Sequence, residues 1–121
     1  MSRMDRINQT IKREVSLIVH SEVKDPRLQF VTIHHVDVSR DLQHARVYFS
    51  VLGNSTEAVK AEEGLNSARG FIRKLVGQRV RMRYTPEIEF IFDKTIEYSA
   101  RIEETLEDIR NEPNRSSESN P

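Results

Sequence analysis

The chain has 121 residues and no cysteine, and its 19 Lys and Arg residues balance 19 Asp and Glu residues. This length fits one domain with a modest core, and the lack of cysteine excludes disulfides and thiolate metal sites. No apolar run approaches the roughly 20 residues that cross a bilayer, and the N-terminus has no signal-peptide pattern, so we expect a cytoplasmic protein.

Apolar spacing in the first half predicts a helix and then two strands. Apolar residues recur at steps of three and four from about Met4 to Glu22, as in an amphipathic helix, and Asp25-Pro26 closes it. The spacing changes to period two from Phe30 to Val38 and from Ala45 to Leu52, which predicts two antiparallel strands. Each strand is expected to place alternate apolar side chains on one face: Phe30, Val36 and Val38, then Val47, Phe49 and Val51.

The middle of the chain predicts a helix that is interrupted by glycine. Asn54 to Glu57 supply capping residues for a second helix that runs to about Ser67. Gly70 then breaks the helical pattern, and Phe71 to Gly77 form a short third helix. Alternation from Glu87 to Phe92 predicts a third strand.

The C-terminal part predicts one more helix and a tail. The apolar residues of this last helix are Ile96, Tyr98, Ile102, Leu106 and Ile109. No apolar side chain follows Arg110, so residues 111–121 are expected to be a disordered tail and residues 1–110 the folded domain. The predicted fold is α+β, in the order α-β-β-α-kink-α-β with a C-terminal helix, and its helices cover one face of a three-stranded sheet.

The strongest functional feature is a basic segment from Asn66 to Arg83. It contains no carboxylate, it includes Gly70, and its six cations are Arg69, Arg73, Lys74, Arg79, Arg81 and Arg83. Solvated surfaces normally mix charge signs and phosphate is the commonest biological counter-charge, so the segment predicts nucleic-acid binding. The zero net charge hides this polarity: residues 1–86 hold 15 Lys/Arg and 9 Asp/Glu, whereas residues 87–121 hold 4 and 10.

An N-terminal basic group lies on the first helix, away from its apolar side: Arg3, Arg6, Lys12 and Arg13. Alone, such a group is typical of a solvated helix face. Together with the basic segment it is expected to widen one positive surface, although the sequence does not place the two relative to each other. Arg46 points away from the apolar face of its strand, where RNA contact and simple exposure are equally expected.

Metal and catalytic sites are not predicted. His34 and His35 are adjacent, so a regular strand directs them to opposite faces and they cannot share one ion. No positioned nucleophile and base and no glycine-rich nucleotide loop accompanies Asp37 or Asp41, and Asp41 is expected to shape a turn. We therefore expect neither a cofactor nor an enzymatic activity.

The glycine within the basic segment resembles the phosphate-binding corner of a KH domain, with Ala68-Arg69-Gly70 in place of the usual GxxG loop. Further stretches make the chain similar to the bacterial ribosome-binding factor A proteins over roughly residues 4–110. They are Asp25-Pro26-Arg27-Leu28 with Val31-Thr32-Ile33; Val38-Ser39-Arg40-Asp41-Leu42 through Ala45 and Val47-Tyr48 to Ser50-Val51-Leu52-Gly53; and Ser67-Ala68-Arg69-Gly70-Phe71-Ile72-Arg73 through Arg83-Tyr84-Thr85-Pro86-Glu87 to Phe90 and Asp93.

That resemblance implies a type II KH-like domain, a monomer that binds the small (30S) ribosomal subunit and its 16S rRNA. It also implies a role in late maturation of this RNA, often tied to growth in the cold. Backbone phosphates would bind the cations of both basic groups, with Gly70 permitting close approach. The resemblance also implies a ribosomal contact for Asp25-Pro26-Arg27. From the residues alone, this stretch predicts the end of a helix followed by a turn. The alternative is a protein-interaction module that docks an acidic protein without binding RNA.

Overall fold

The structure, a computed structural model, describes residues 1–93. In chain order these residues form helix α1 (Arg3–Ser21), a 3-10 turn (Pro26–Leu28), strands β1 (Val31–Val38) and β2 (His44–Val51), helix α2 (Ser55–Arg79) and strand β3 (Glu87–Phe92). The predicted α+β architecture is confirmed. The predicted last helix around residues 96–109 and the tail at residues 111–121 lie outside the described residues.

Helix α1 begins and packs as its sequence predicts. The Ser2 hydroxyl accepts a hydrogen bond from the backbone N–H of Asp5, and the Asp5 carboxylate accepts one from the backbone N–H of Ser2. This capping box satisfies two donors that the first helical turn leaves free. Four side chains at helical spacing are buried: Ile11, Val15, Ile18 and Val19. The predicted helix from Met4 to Glu22 is therefore confirmed, shifted by one residue at each end.

Within residues 1–93, strand β2 is the central strand of a three-stranded sheet. It pairs antiparallel with β1 and parallel with β3, so the strand order is β1-β2-β3. Side chains of α1 and α2 cover one face, where the Phe49 ring meets those of Phe90 and Phe92 at centroid distances of 6.4 and 5.6 Å. Alternate residues point to the other face and are exposed, among them Asp37 and Arg46.

A bulge in β1 changes which face its side chains occupy. The pairing register with β2 shifts between Ile33 and His35. Buried residues therefore occupy odd positions before the shift and even positions after it: Val31, Ile33, Val36 and Val38. The prediction that Phe30 shares the apolar face is wrong, since Phe30 precedes the strand and is 51% exposed. An extra residue in one strand reverses the period-two phase, which a regular alternation does not anticipate.

Helix α2 is one continuous helix where the sequence predicted two. At its start, the Asn54 side chain accepts a hydrogen bond from the backbone N–H of Glu57, as expected of a cap. The helix then runs through Gly70 to Arg79, so the separate third helix from Phe71 to Gly77 is wrong. Glycine in a helix interior costs only about 1 kcal/mol. Burial of apolar side chains on both sides of it outweighs that cost: Leu65, Ile72 and Val76.

The Asp25-Pro26-Arg27-Leu28 stretch packs against α2. The Asp25 carboxylate accepts hydrogen bonds from the backbone N–H of Arg27 at 3.0 Å and from the Arg27 guanidinium at 2.7 Å. Leu28 is buried, and Gly64 of α2 lies so close that a Cβ there would stand 3.1 Å from both the Asp25 carboxylate and a Leu28 methyl carbon. Packing and hydrogen bonds within the fold therefore account for this stretch. Its contact with the ribosome stays a prediction.

Acid should weaken the pair that Asp25 forms with Arg27. Chiefly through a side-chain hydrogen bond, Arg27 holds the pKa of the Asp25 carboxyl below its ordinary value. Such a carboxyl stabilises the fold above its unfolded-chain pKa, about 3.9, and loses that contribution as pH falls through the folded-chain pKa. In urea unfolding, Asp25→Asn should therefore be less stable than the wild type at about pH 7, and the gap should shrink at about pH 2.5. Loss of the guanidinium in Arg27→Gln should likewise reduce the stability difference that Asp25→Asn causes at about pH 7. A stability difference between Asp25→Asn and the wild type that does not change with pH would contradict the pairing of Asp25 with Arg27.

Candidate nucleic-acid interface

The six cations of the basic segment lie on α2 and on the connection that follows it. Those on the helix are Arg69, Arg73, Lys74 and Arg79, and those in the connection to β3 are Arg81 and Arg83. All six are exposed. Their contacts nevertheless divide them into two sets, which the sequence alone does not separate.

Arg73 and Arg79 hold parts of the fold together. The Arg73 guanidinium donates a hydrogen bond to the backbone carbonyl of Thr85 at 2.9 Å, across the connection between α2 and β3. Arg79 donates to the Glu22 carboxylate at 3.0 Å and lies 3.7 Å from that of Glu14, so it joins the end of α2 to α1. Because two carboxylates partly neutralise it, Arg79 offers less charge to a phosphate than the sequence indicates.

The remaining cations of the basic segment keep their charge exposed. The side chains of Arg69, Lys74 and Arg81 have no hydrogen-bond or ion-pair partner among residues 1–93. The Arg83 guanidinium lies 5.5 Å from the ring centroid of its neighbour Tyr84, a cation-π contact that does not neutralise it. Unneutralised, solvent-facing cations are the groups that release counterions when a phosphate binds.

A groove brings the two basic groups together. It lies between the first turns of α1 and the connection after α2, and its volume is about 410 Å³. Arg3 and Arg6 of α1 line it together with Arg81 and Arg83 of the connection. We call it the arginine groove. The sequence could not place the two groups relative to each other, and the structure places part of each around one concave site.

Apolar side chains form the floor of the arginine groove: Ile7, Leu42, Val80 and Met82. All four are half-buried and pack against the hydrophobic core. They come from α1, from the connection between β1 and β2, and from the connection after α2. No local sequence pattern links these three separate segments, so the floor could not be predicted from the sequence.

The connection between β1 and β2 is a tight turn that fixes the position of Leu42. The Asp41 carboxylate accepts hydrogen bonds from the Ser39 hydroxyl at 2.6 Å and from the backbone N–H of Gln43 at 3.1 Å, which confirms the predicted turn. The Ser39 hydroxyl holds the pKa of the Asp41 carboxyl below its ordinary value. Leu42 has a φ of 62°, a left-handed conformation that costs a non-glycine residue about 1–2 kcal/mol.

Lys12 and Arg13 extend the positive surface along α1. They line a shallow depression together with Arg6, which also lines the arginine groove. The Arg13 guanidinium lies 3.6 Å from the Glu14 carboxylate, but its side chain is 71% exposed, so the pair is weak. The N-terminal basic group is therefore contiguous with the groove.

Gly70 leaves a low point on the exposed side of α2. Apart from its two chain neighbours and the surrounding backbone of its own helix, a Cβ added at Gly70 would meet no atom within 4 Å among the described residues. Gly70 directly follows Arg69 and lies one helical turn before Lys74, so the low point is bordered by two unpaired cations. Close approach of a phosphate is still expected here, but because a side chain is missing and not because the helix is broken.

The outer face of the sheet is less suited to phosphate than the helical side. Arg46 of β2 is exposed, and its register partners on the two neighbouring strands are Asp37 and Glu89. Directly opposed residues of neighbouring strands have Cβ atoms about 5 Å apart, so carboxylates flank Arg46 on both sides. Of the two interpretations that the sequence left open for Arg46, this arrangement favours simple exposure.

The described residues contain neither a metal site nor a membrane span. His34 shares a hydrogen bond with the Ser50 hydroxyl, and the His35 ring stands 5.6 Å from the ring of Tyr48. Within residues 1–93, no three His, Asp or Glu side chains are grouped to hold a metal ion. No helix in this range is long and apolar enough to cross a bilayer.

Comparison with known sequences identifies one family. The family model described as "Ribosome-binding factor A" matches residues 3–106. A ribosome-binding factor A from Halothermothrix orenii is 46% identical over 110 residues, which are 91% of this chain and 90% of the relative. Another from Acetivibrio thermocellus is 50% identical over 103 residues, which are 84% of each chain.

Comparison with solved structures agrees. The crystal structure of ribosome-binding factor A from Thermus thermophilus has a TM-score of 0.67 at 26% identity and covers 74% of this chain and 96% of that chain. A solution structure of a related Thermotoga maritima protein has a TM-score of 0.66 at 34% identity, with 74% and 85% covered. A Thermus thermophilus homology model, fitted into a cryo-EM map of a complex of 30S with ribosome-binding factor A, has a TM-score of 0.60 at 26% identity, with 72% and 91% covered. These neighbours have a KH-like fold, so the predicted fold class is confirmed.

Proposed function

This chain belongs to the ribosome-binding factor A family, and we propose that it is a non-catalytic assembly factor that binds the small (30S) ribosomal subunit. One structural neighbour is positioned in a map of its own complex with 30S. In this chain, the observation that carries the proposal is the positive surface on which the arginine groove joins the first turns of α1 to the connection after α2. Several of its cations are unpaired within residues 1–93, and RNA is the most abundant anionic surface that a ribosomal subunit offers.

The proposal extends to the role of this binding. The chain binds 16S rRNA of an immature subunit as a cytoplasmic monomer and assists late maturation of this RNA, including during growth in the cold. Phosphate contacts supply most of the affinity, and the shape of the RNA supplies the specificity. No bond-making chemistry is asked of the protein, in keeping with the lack of a predicted nucleophile and base.

The cations take different parts in this scheme. Arg69, Lys74 and Arg81 contact phosphates directly, together with the N-terminal basic group. Arg73 and Arg79 chiefly hold α2 against its neighbours, because each already has a partner inside the fold. Gly70 lets the RNA backbone approach the α2 surface between Arg69 and Lys74.

Co-sedimentation with separated ribosomal subunits tests the proposal. The protein should pellet with 30S subunits in a one-to-one ratio, more fully with immature than with mature particles, and not with 50S subunits. Its log K should fall linearly with log salt, with a slope of about −2 to −4 for three to five phosphate contacts. Equal pelleting with both subunits would contradict the proposal.

The alternative, docking on an acidic protein, predicts a different result with naked RNA. Protein-free 16S rRNA should bind saturably and in a salt-dependent manner if phosphates are the ligands. An acidic-protein partner instead predicts no saturable binding to this RNA, with 30S binding retained.

A further inference from the structure

We propose that the arginine groove binds a single unpaired RNA nucleotide, with its base on the apolar floor and the adjoining phosphates on the arginines. The inference rests on the proposed function and adds to it a defined subsite. It differs from a general positive surface because it assigns the base, and not only the backbone, to particular side chains.

The charge of the groove calls for an anionic ligand. Among residues 1–93, four guanidinium groups from two separate segments line it and no carboxylate does. The side chains of Arg3, Arg6 and Arg81 have no ion-pair partner among residues 1–93. Like charges gathered in one concave site repel one another, and a bound phosphate would relieve this repulsion. All the cations of the groove are arginines, whose planar guanidinium forks bind phosphate in pairs of hydrogen bonds and stack on flat rings.

The floor of the groove favours a ligand group that is apolar and flat. The four apolar side chains of the floor would remain solvated beneath a duplex, because a double helix presents phosphates and ribose on its outside. An unpaired base has a free face that can lie on such a floor. The volume of about 410 Å³ falls within the range of about 300–1,000 Å³ that is usual for small-ligand sites.

The floor is also held in place before any ligand arrives. Leu42 is kept at its positive φ by a turn in which its own backbone N–H donates to the Ser39 carbonyl at 2.9 Å. Residues held in such sparsely populated conformations are concentrated at ligand sites. A fixed floor lowers the cost of ordering the site on binding.

Binding of two short probes to the full chain tests the inference. The first is a six-nucleotide oligoadenylate, and the second is the abasic ribose-phosphate chain of the same length, which keeps every phosphate but has no base. By fluorescence anisotropy, wild-type protein should bind the oligoadenylate about tenfold more tightly, which is the low end of the gain from stacking one base on an aromatic ring, because the floor here is aliphatic.

Two variants with unchanged charge examine the floor. Met82→Gln makes the floor polar at similar side-chain length, and Val80→Thr adds a hydroxyl to the floor at the same side-chain shape. Both should reduce the tenfold preference towards about twofold while the thermal midpoint is retained. Two double variants that each remove two cations form a matched pair. Arg6→Ser with Arg81→Ser, inside the groove, should reduce the preference for oligoadenylate. Arg69→Ser with Lys74→Ser, outside it, should weaken the binding of both probes and leave the preference unchanged.

The outcomes separate this inference from the proposed function. Equal affinity of wild-type protein for the two probes would overturn the nucleotide subsite while leaving salt-dependent 30S binding intact. A preference that survives in folded Met82→Gln and Val80→Thr would place the base elsewhere and overturn the nucleotide subsite as well. Displacement of the oligoadenylate by an acidic peptide of alternating Glu and Leu, at lower concentration than unlabelled oligoadenylate, would assign the groove to a protein partner instead. Loss of 30S binding altogether would refute the proposed function itself.

Discussion

Charge reversal of Arg69 and Lys74 together should weaken binding to the 30S subunit by about 30-fold or more near 0.1 M salt. Both side chains are exposed and unpaired within residues 1–93, so their reversal breaks no contact of the described fold. Each lost phosphate contact should make the slope of log K against log salt shallower by about 0.7–0.9. Co-sedimentation over a salt series measures both quantities, and the thermal midpoint should not change.

The control for this variant is a reversal of equal size at a different place. Lys24→Glu with Lys60→Glu changes the net charge by the same amount, and both lysines are exposed outside the basic segment. If only net charge mattered, the two double variants would lose affinity alike. Arg73 is not suitable for this comparison, because it donates to the Thr85 carbonyl and its reversal would disturb the connection to β3.

Two glycines of α2 should respond to alanine in opposite directions. Alanine is favoured over glycine in a helix by up to about 1 kcal/mol, and Gly70 has open space where the methyl would go. Gly70→Ala should therefore raise Tm by about 4 °C. At Gly77 a Cβ would stand 2.6 Å from the Thr85 hydroxyl oxygen, so overpacking of about 1–3 kcal/mol should exceed the gain and lower Tm by about 4–8 °C.

The two alanine variants also separate stability from binding. Gly70→Ala should bind 30S subunits less tightly although it is more stable, because its methyl group fills the low point between Arg69 and Lys74. A more stable Gly70→Ala with unchanged affinity would remove Gly70 from the interface. Gly77→Ala with wild-type Tm would show that Thr85 can move aside, and would contradict the close packing of α2 on this connection.

Much of the fold could be predicted because its determinants are local. Helix α1 follows from apolar residues at steps of three and four, and the strands follow from alternation, since each pattern reflects the geometry of its own backbone. Contacts between separate elements explain the two failures. The bulge after Ile33 belongs to the pairing of β1 with β2, and it reverses the alternation of buried and exposed side chains along β1. Gly70 stays helical because the burial of apolar residues on either side of it outweighs the low helix propensity of glycine.

The sequence by itself determined that a positive surface exists, and the tertiary structure decided which cations form it. A run of cations without carboxylates is a property of composition, so the basic segment was readable directly. Whether Arg79 faces solvent or the carboxylates of Glu14 and Glu22 depends on how α2 crosses α1, which joins residues far apart in the chain. The arginine groove has the same origin. Its walls and floor come from segments that only the packed fold brings together, because long-range contacts and not local periodicity set the distances between them.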